Sequence, residues 1–306
     1  MTARRTLLVT GASGYIAERL LPELRRRYAL RLVDARDRDR RGRRVASVTV
    51  ADLSDPDRRR YRALFRGVDV VVHLGYRNPG RWAADATALD LFDVELENVR
   101  MAQNVYRTAL ENGVRRVVMA SSNHAADWYE HALIHESKRE LVSPADLPLS
   151  DNFYGWSKAA YELLGFVYAS GSLGRKLEVV LLRIGAPRDV SARHYVRGRL
   201  AEQHVGPRGS ALANFKRDLG AYLSDRDLRQ LVRRAIETPD IRNEHGVPWA
   251  VVYAISGNSR AFWSLESARR ILGYAPRDDS EVRYAADVRR HLTGPTARVR
   301  GGRVGA

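Results

Sequence analysis

At 306 residues, 44% of them hydrophobic, the chain is long enough for a sizeable core and exceeds one average domain. It has no cysteine, which excludes disulfides, thiolate metal sites and cysteine nucleophiles and fits a reducing compartment. The net charge of +16 comes mostly from arginines scattered along helix faces and loops, with clusters at 38–44 and 58–62. Such a solvated surface argues against a nucleic-acid partner while still attracting anionic small molecules.

Met1-Thr2-Ala3-Arg4-Arg5 leads directly into an apolar segment, so no signal peptide is expected. No apolar run reaches the roughly 20 residues that span a bilayer, so a cytoplasmic protein without a membrane partner is expected. Strand-like and helix-like segments then alternate. Strands are predicted at Thr6–Thr10, Ala29–Asp34, 44–50, 68–74, 114–120, 178–183 and 249–255. Helices are predicted at 15–26, 57–65, Leu91–Glu111, 154–169, Asp225–Glu237 and 265–272. The helix at Asp225 has a start signal in which Ser224 caps and Asp227 reaches back. Segments 123–153 and 186–216 are poorly periodic, and both leave the carboxyl ends of strands. They are the expected walls of a substrate pocket. The Gly- and Arg-rich tail, 293–306, is expected to be disordered.

The first strand opens into Gly11-Ala12-Ser13-Gly14-Tyr15-Ile16-Ala17, a Gly-x-x-Gly-x-x-Ala turn followed by a helical pattern. Gly11 suits a tight turn, Gly14 lets backbone approach a pyrophosphate, and Ala17 allows close helix–sheet packing. The second strand ends at Asp34, about 20 residues on, where a ribose acceptor is expected. This is the pattern of a nicotinamide-dinucleotide site. Together with the alternation it predicts an α/β, Rossmann-type doubly wound parallel sheet with a small C-terminal substrate lobe. The dinucleotide-binding part is mainly 1–183 and the lobe mainly 184–292, with the strand near 249–255 returning to the sheet.

Tyr154 and Lys158 lie four apart on one helix face, where an ammonium favours the phenolate and draws the Tyr154 pKa toward the working range. Tyr154 can then act as general acid or base in an alcohol–carbonyl interconversion. Ser121 and Ser122 end the fifth strand. Ser122 is read as a hydrogen-bond partner of the reacting oxygen and Ser121 as a strand-end serine. His131 and His135 have a helical ligand spacing, but no further ligand accompanies them and no metal is expected.

Thr10-Gly11-x-x-Gly14-x-x-Ala17, Asp52-Leu53, His73-Leu74-Gly75, Asn98, Ser121-Ser122 and Tyr154-x-x-x-Lys158 together resemble the extended short-chain dehydrogenase/reductase family. The likeness spans 6–292. Ala120-Ser121-Ser122-Asn123-His124, Arg183-Ile184-Gly185, Arg217-x-Leu219-x-x-Tyr222-Leu223-Ser224 and Leu272-Gly273-Tyr274 are similar to its NAD-dependent uronate dehydrogenases and their sugar-phosphate dehydrogenase relatives. The resemblance implies NAD as cofactor. Gly11, Ser13, Gly14, Tyr15 and Ile16 would line the pyrophosphate, Asp34 would hold the adenosine ribose, and Asp52 and Leu53 would contact adenine. Leu74 and Gly75 would run beside the nicotinamide half, Lys158 would bond its ribose, and Asn98 would be the helix asparagine, usually structural and sometimes part of a proton relay. Asn123, His124 and Arg217 would contact substrate, Arg217 through a sugar carboxylate. A homodimer through helices 91–111 and 154–169 is likewise implied.

Departures from the pattern leave the sugar open. Ala186 replaces a serine, Asn78 or Arg77 stands where another is kept, and 187–216 is long, with His194, Arg197, Arg199, His204 and Arg208. That arm is either a substrate element or a surface contact. The leading expectation is oxidation of the C1 hydroxyl of a hexuronate or related anionic sugar to a lactone. A nucleotide-sugar epimerase or dehydratase with retained NAD, and a non-catalytic dinucleotide-binding protein, are the alternatives. Asp34 favours NAD over NADP, with Arg36 and Arg38 near enough to soften the preference.

Overall fold

The computed structural model describes residues 4–78, 89–196 and 211–293. Seven strands form one all-parallel sheet in the order β3-β2-β1-β4-β5-β6-β7. They are β1 Thr6–Thr10, β2 Ala29–Asp34, β3 Val48–Val50, β4 Val70–His73, β5 Arg116–Ser122, β6 Glu178–Ile184 and β7 Trp249–Ala254. The central strands read as near-continuous apolar runs because both sheet faces are covered. On one face Leu7, Val9, Val70, Val72 and Val252 pack with helix α1, Tyr15–Arg27. On the other, Leu8, Val71, Val117 and Val179 pack with α2, Leu91–Glu111, and α3, Phe153–Ser170. Strand order reverses between β1 and β4, which opens a crevice at their carboxyl ends. The Rossmann-type α/β expectation holds.

Several boundaries moved for identifiable reasons. β3 begins at Val48 because 38–44 folds into a turn, with Asp39 accepting from the Arg41 and Arg43 amides at 2.8 and 2.9 Å. The helix expected at 57–65 is two short 3₁₀ turns, Arg58–Arg60 and Arg62–Phe65, that bury Tyr61 and Phe65. β5 runs two residues further than expected, so both serines lie inside the strand and pair with Arg183 and Ile184. Periodicity missed α4, Ala211–Ala221, within and beyond the arm, as well as short helical turns such as Arg193–Val196, Ser280–Arg283 and Ala285–Val288. Helix α5, Asp225–Glu237, starts at Ser224, whose hydroxyl accepts from the Asp227 amide at 3.1 Å. Asp227 does not reach back, because its carboxylate is held by the Ser256 hydroxyl at 2.7 Å and the Arg277 and Asp278 amides at 2.9 and 3.0 Å.

A third cluster, including Tyr129, Ile134, Tyr195, Phe215, Leu219 and Trp263, packs beyond the carboxyl ends of β5–β7. It supports segment 123–135 and α4 as a wall over the crevice. Arg197, Arg199, His204 and Arg208 lie outside the described residues, as do 294–306 of the tail. His194 is described, and its Nε2 lies 3.1 Å from Asp189. No helix among the described residues is long and apolar enough to cross a membrane.

Candidate active site

A cavity of about 780 Å³ runs along the crevice between the β1 turn and the β5–α3 junction. At its dinucleotide end Gly11 has φ +68°, and a Cβ there would meet the backbone of Leu74 and Gly75 at 2.6 Å. Only glycine permits that approach. It brings the β1 and β4 turns together as a floor of bare backbone, with Gly14, Tyr15 and Ile16 beside it at the start of α1. Asp34, Asp52, Leu53, Leu74 and Gly75 also line the cavity. This cradle and its carboxylate fit an extended dinucleotide: backbone N–H groups for a pyrophosphate, and Asp34 for a ribose hydroxyl.

Three details differ from the sequence reading. Ser13 is buried and turned away, its amide donating to Asp34 Oδ2 at 2.9 Å and its hydroxyl to Arg36 O at 2.8 Å; it shapes the turn rather than facing the cavity. Arg38 donates to Gly42 O at 2.9 Å, whereas Arg36 and Arg40 line the cavity, Arg40 over the Tyr15 ring at 4.6 Å. Asn98 is fully buried outside the lining. Its amide clamps the Arg77 backbone, accepting from N at 2.7 Å and donating to O at 3.0 Å.

At the other end Ser122, His124, Tyr154, Lys158, Arg77 and Asn78 share the lining. Two-residue alternation along β5 sends its serines to opposite sides. Ser121 donates to Glu162 at 2.7 Å, inside a buried pair in which Arg183 grips both Glu162 oxygens at 2.9 and 2.7 Å; it is structural. Ser122 lines the cavity on the Tyr154 side, and its hydroxyl accepts from the His124 amide at 3.3 Å. Helix α3 comes this close because Gly155 has no Cβ to strike the His124 carbonyl. Asn152 caps that helix by accepting from the Gly155 amide at 2.9 Å. The His124 ring lies edge-on to Tyr154, with centroids 5.6 Å apart, and its Nδ1 is 2.6 Å from Asp127.

The expected lowering of the Tyr154 pKa does not occur in this arrangement. Burial raises it, the nearby Ser122 hydroxyl opposes the rise, and Glu95 and Asp127 add to it. The Lys158 ammonium instead lies over the Tyr161 and Tyr76 rings at 4.5 and 4.7 Å, and only at 5.6 Å from the Tyr154 ring. Burial brings Lys158 down to about 8. Burial, with Lys158 nearby, brings His73 down to about 3, so its ring is neutral and shares a 2.6 Å bond with Thr10 Oγ1.

Sequence reasoning missed Glu95. It lies on α2, reads as an ordinary polar position, and is buried beside Tyr76 and Ser157 near the Tyr154 end of the cavity. It also missed Tyr76, which carries no spacing signal but packs edge-on to Tyr154 at 5.4 Å.

Arg217 is not presented to the cavity. Its Nε and Nη2 grip Glu130 at 2.7 and 3.0 Å, and Nη1 donates to Asp218 at 3.0 Å. Asn123, with its amide oriented to satisfy both neighbours, accepts from Arg217 at 2.8 Å and donates to Ile184 O at 2.9 Å. Asn123 and Arg217 therefore form a layer behind His124. The fork expected to take a sugar carboxylate is filled by a carboxylate of the chain itself, which arrives from the π-helical turn Glu130–Ile134. Burial works to raise the Glu130 carboxyl, yet Arg217 and His135 hold it far below the usual carboxylate range. His131 is paired with Asp151 at 2.7 Å. No group of three or more potential metal ligands occurs among the described residues.

Comparison with known proteins gives this geometry a context. The model of the NAD dependent epimerase/dehydratase family matches residues 7–187. The L-arabinose 1-dehydrogenase (NAD(P)(+)) of Haloferax volcanii is 31% identical over 281 residues, covering 90% of this chain and 97% of that protein. The NAD-dependent glucose-6-phosphate dehydrogenase of the same organism is 29% identical over 284 residues, covering 90% and 94%. A mutated uronate dehydrogenase has a similar solved structure, with TM-score 0.67 and 26% identity over 93% of this chain and 86% of that one.

Proposed function

The chain belongs to the NAD dependent epimerase/dehydratase family, and from that premise we propose that it is an NAD-dependent sugar dehydrogenase that oxidises the C1 hydroxyl of an aldose to a lactone. One observation carries the reading: Ser122, Tyr154 and Lys158 converge on the same cavity as the Gly11–Gly14 turn and Asp34. A retained general base next to a dinucleotide cradle serves turnover, and a sensor has no need of one. The relatives named above, as sugar dehydrogenases, support oxidation over epimerisation.

In this scheme Gly11, Gly14, Tyr15 and Ile16 hold the pyrophosphate, Asp34 takes the adenosine ribose, and Lys158 takes the nicotinamide ribose. When bound, NAD accepts the hydride from the sugar carbon. Ser122 donates to the reacting oxygen and orients it toward Tyr154. The Tyr154 oxygen takes the hydroxyl proton, and Lys158 offsets the charge that develops there. His124, braced by Asp127, positions a second sugar oxygen.

The filled fork of Arg217 supports a substrate that is uncharged at this wall, in place of the hexuronate expected from sequence. A sugar carboxylate there would face Glu130 and Asp218 around one guanidinium. Removing a charge from water without its own counter-ion is strongly disfavoured. The test is reduction of NAD followed with a panel of neutral aldoses, their uronates and their phosphates. A neutral aldose should give a higher kcat/KM than its uronate. Glu130→Gln should narrow that gap. A wild-type preference for the uronate would remove the substrate assignment, and product without net NAD reduction would favour the epimerase reading.

A further inference from the structure

Behind Tyr154 and Lys158 lies a carboxylate that the scheme above does not use. Glu95 is 3% exposed and belongs to α2, while the catalytic pair belongs to α3. One of its oxygens accepts from the Tyr76 hydroxyl at 2.5 Å and the other from the Ser157 hydroxyl at 2.5 Å, with the Asn98 amide at 3.5 Å. Tyr76 in turn packs edge-on to Tyr154 and lies beneath the Lys158 ammonium. Two tyrosine rings and a buried ammonium make a poorly solvated cage. A cation held there needs a fixed anion to remain charged.

We propose that Glu95 is a positioning residue for this reaction: its carboxylate, anchored by Tyr76 and Ser157, is the buried counter-ion that sets the protonation of the Lys158–Tyr154 pair. The proposal rests on the dehydrogenase reading of Tyr154. Every element packed around the pair contributes groups to the balance. Helix α2 supplies Glu95, the β4 end supplies neutral His73 and Tyr76, and α3 supplies Tyr154, Lys158 and Tyr161. The turn after β5 supplies His124 and Asp127. Asp127 acts on Tyr154 from the far side and itself faces His124. Among the carboxylates, Glu95 acts on both members: it opposes the lowering of Lys158 by burial and adds to the raising of Tyr154. A negative charge raises both acid dissociation constants' pKa values, so its removal lowers both. Both groups feel the same carboxylate, so both limbs of the pH profile should move in the same direction.

The experiment compares wild type with Glu95→Gln, which keeps one acceptor oxygen, enough for either Tyr76 or Ser157, and loses the charge. Lys138, Lys158, Lys176 and Lys216 are the four lysines of the chain, so isotope-labelled lysine NMR can follow Lys158 directly, assigned through Lys158→Arg. The Lys158 midpoint should fall by about one pH unit. Both limbs of the kcat/KM profile should shift to lower pH in parallel. Tyr76→Phe keeps the charge and should leave the midpoint near its wild-type value. Should Glu95→Gln not fold, the Glu95→Gln/Tyr76→Phe double variant removes the orphaned donor and is read the same way. An unmoved Lys158 midpoint overturns the proposal, as does a lowered midpoint with the limbs in place, or a uniform loss of rate with no shift. Absence of turnover with every sugar would instead overturn the dehydrogenase reading, and the Lys158 midpoint would still judge Glu95.

Discussion

The two ends of the crevice are built on opposite principles. At the dinucleotide end the work falls to backbone: Gly11 folds against the Leu74–Gly75 turn, α1 presents its first N–H groups, and Asp34 adds the main acidic contact. At the substrate end it falls to side chains that hold one another. Glu130 fills the fork of Arg217, Asp218 bonds Arg217, Arg188 and Tyr195, and Asp127 braces His124. Backbone contacts follow from a local turn and leave the lining open. Charges removed from water must first satisfy each other, and a substrate then meets whatever polarity is left. A sequence motif therefore speaks directly to backbone geometry and says less about an end whose side chains pair across long stretches of chain.

The sharpest division between the ends is expected from Tyr154→Phe. Turnover should fall by about 100- to 10,000-fold, the usual worth of a positioned general base. NAD affinity, measured by fluorescence titration, should stay within a few-fold, because Tyr154→Phe leaves Lys158, the Gly11–Gly14 turn and Asp34 in place. Retention of more than about a tenth of the rate would make Tyr154 structural.

Arg217→Ala should act on stability before substrate. It takes the guanidinium from buried Glu130 and one of three partners from Asp218, a loss of about 3–5 kcal/mol that thermal or denaturant unfolding would reveal. Glu130→Gln/Arg217→Ala should recover part of it. An unchanged unfolding midpoint together with a raised KM for uronates alone would restore Arg217 as a substrate ligand.

The same pair fixes an acid dependence. The Glu130 carboxyl is depressed in the folded state relative to its ordinary 4.5, so the unfolded chain binds the proton first. Its contribution is complete above that value and declines as pH falls below it. Glu130→Gln should flatten this part of the stability curve, and a curve of unaltered slope would remove Glu130 from the account.

Asp34→Ala should have the smallest effect, weakening NAD by about 10-fold, the loss of one charged hydrogen bond. It should also narrow the preference over NADP, because Arg36 and Arg40 line the same part of the cavity. Equal use of NADP by the wild type would show that these arginines outweigh Asp34.

Sequence alone determined the local features. The apolar runs of β1, β4 and β6, the Gly11–Gly14 turn, Asp34 at the β2 end and the Tyr154–Lys158 spacing depend on neighbours within a few residues, where periodicity and turn chemistry act directly. Helix α4 escaped because its buried stripe, with Leu212, Phe215 and Leu219, sits beside a polar, arginine-rich arm that obscures the period. Tertiary structure decided the pairings: Glu130 with Arg217 across 87 positions, Glu95 with Ser157 across 62, and Ser121 with Glu162 across 41. Nothing in the spacing of a carboxylate says which distant cation or hydroxyl will share its burial. That choice is made when the elements pack and each charge leaving water takes the partner the fold brings within reach.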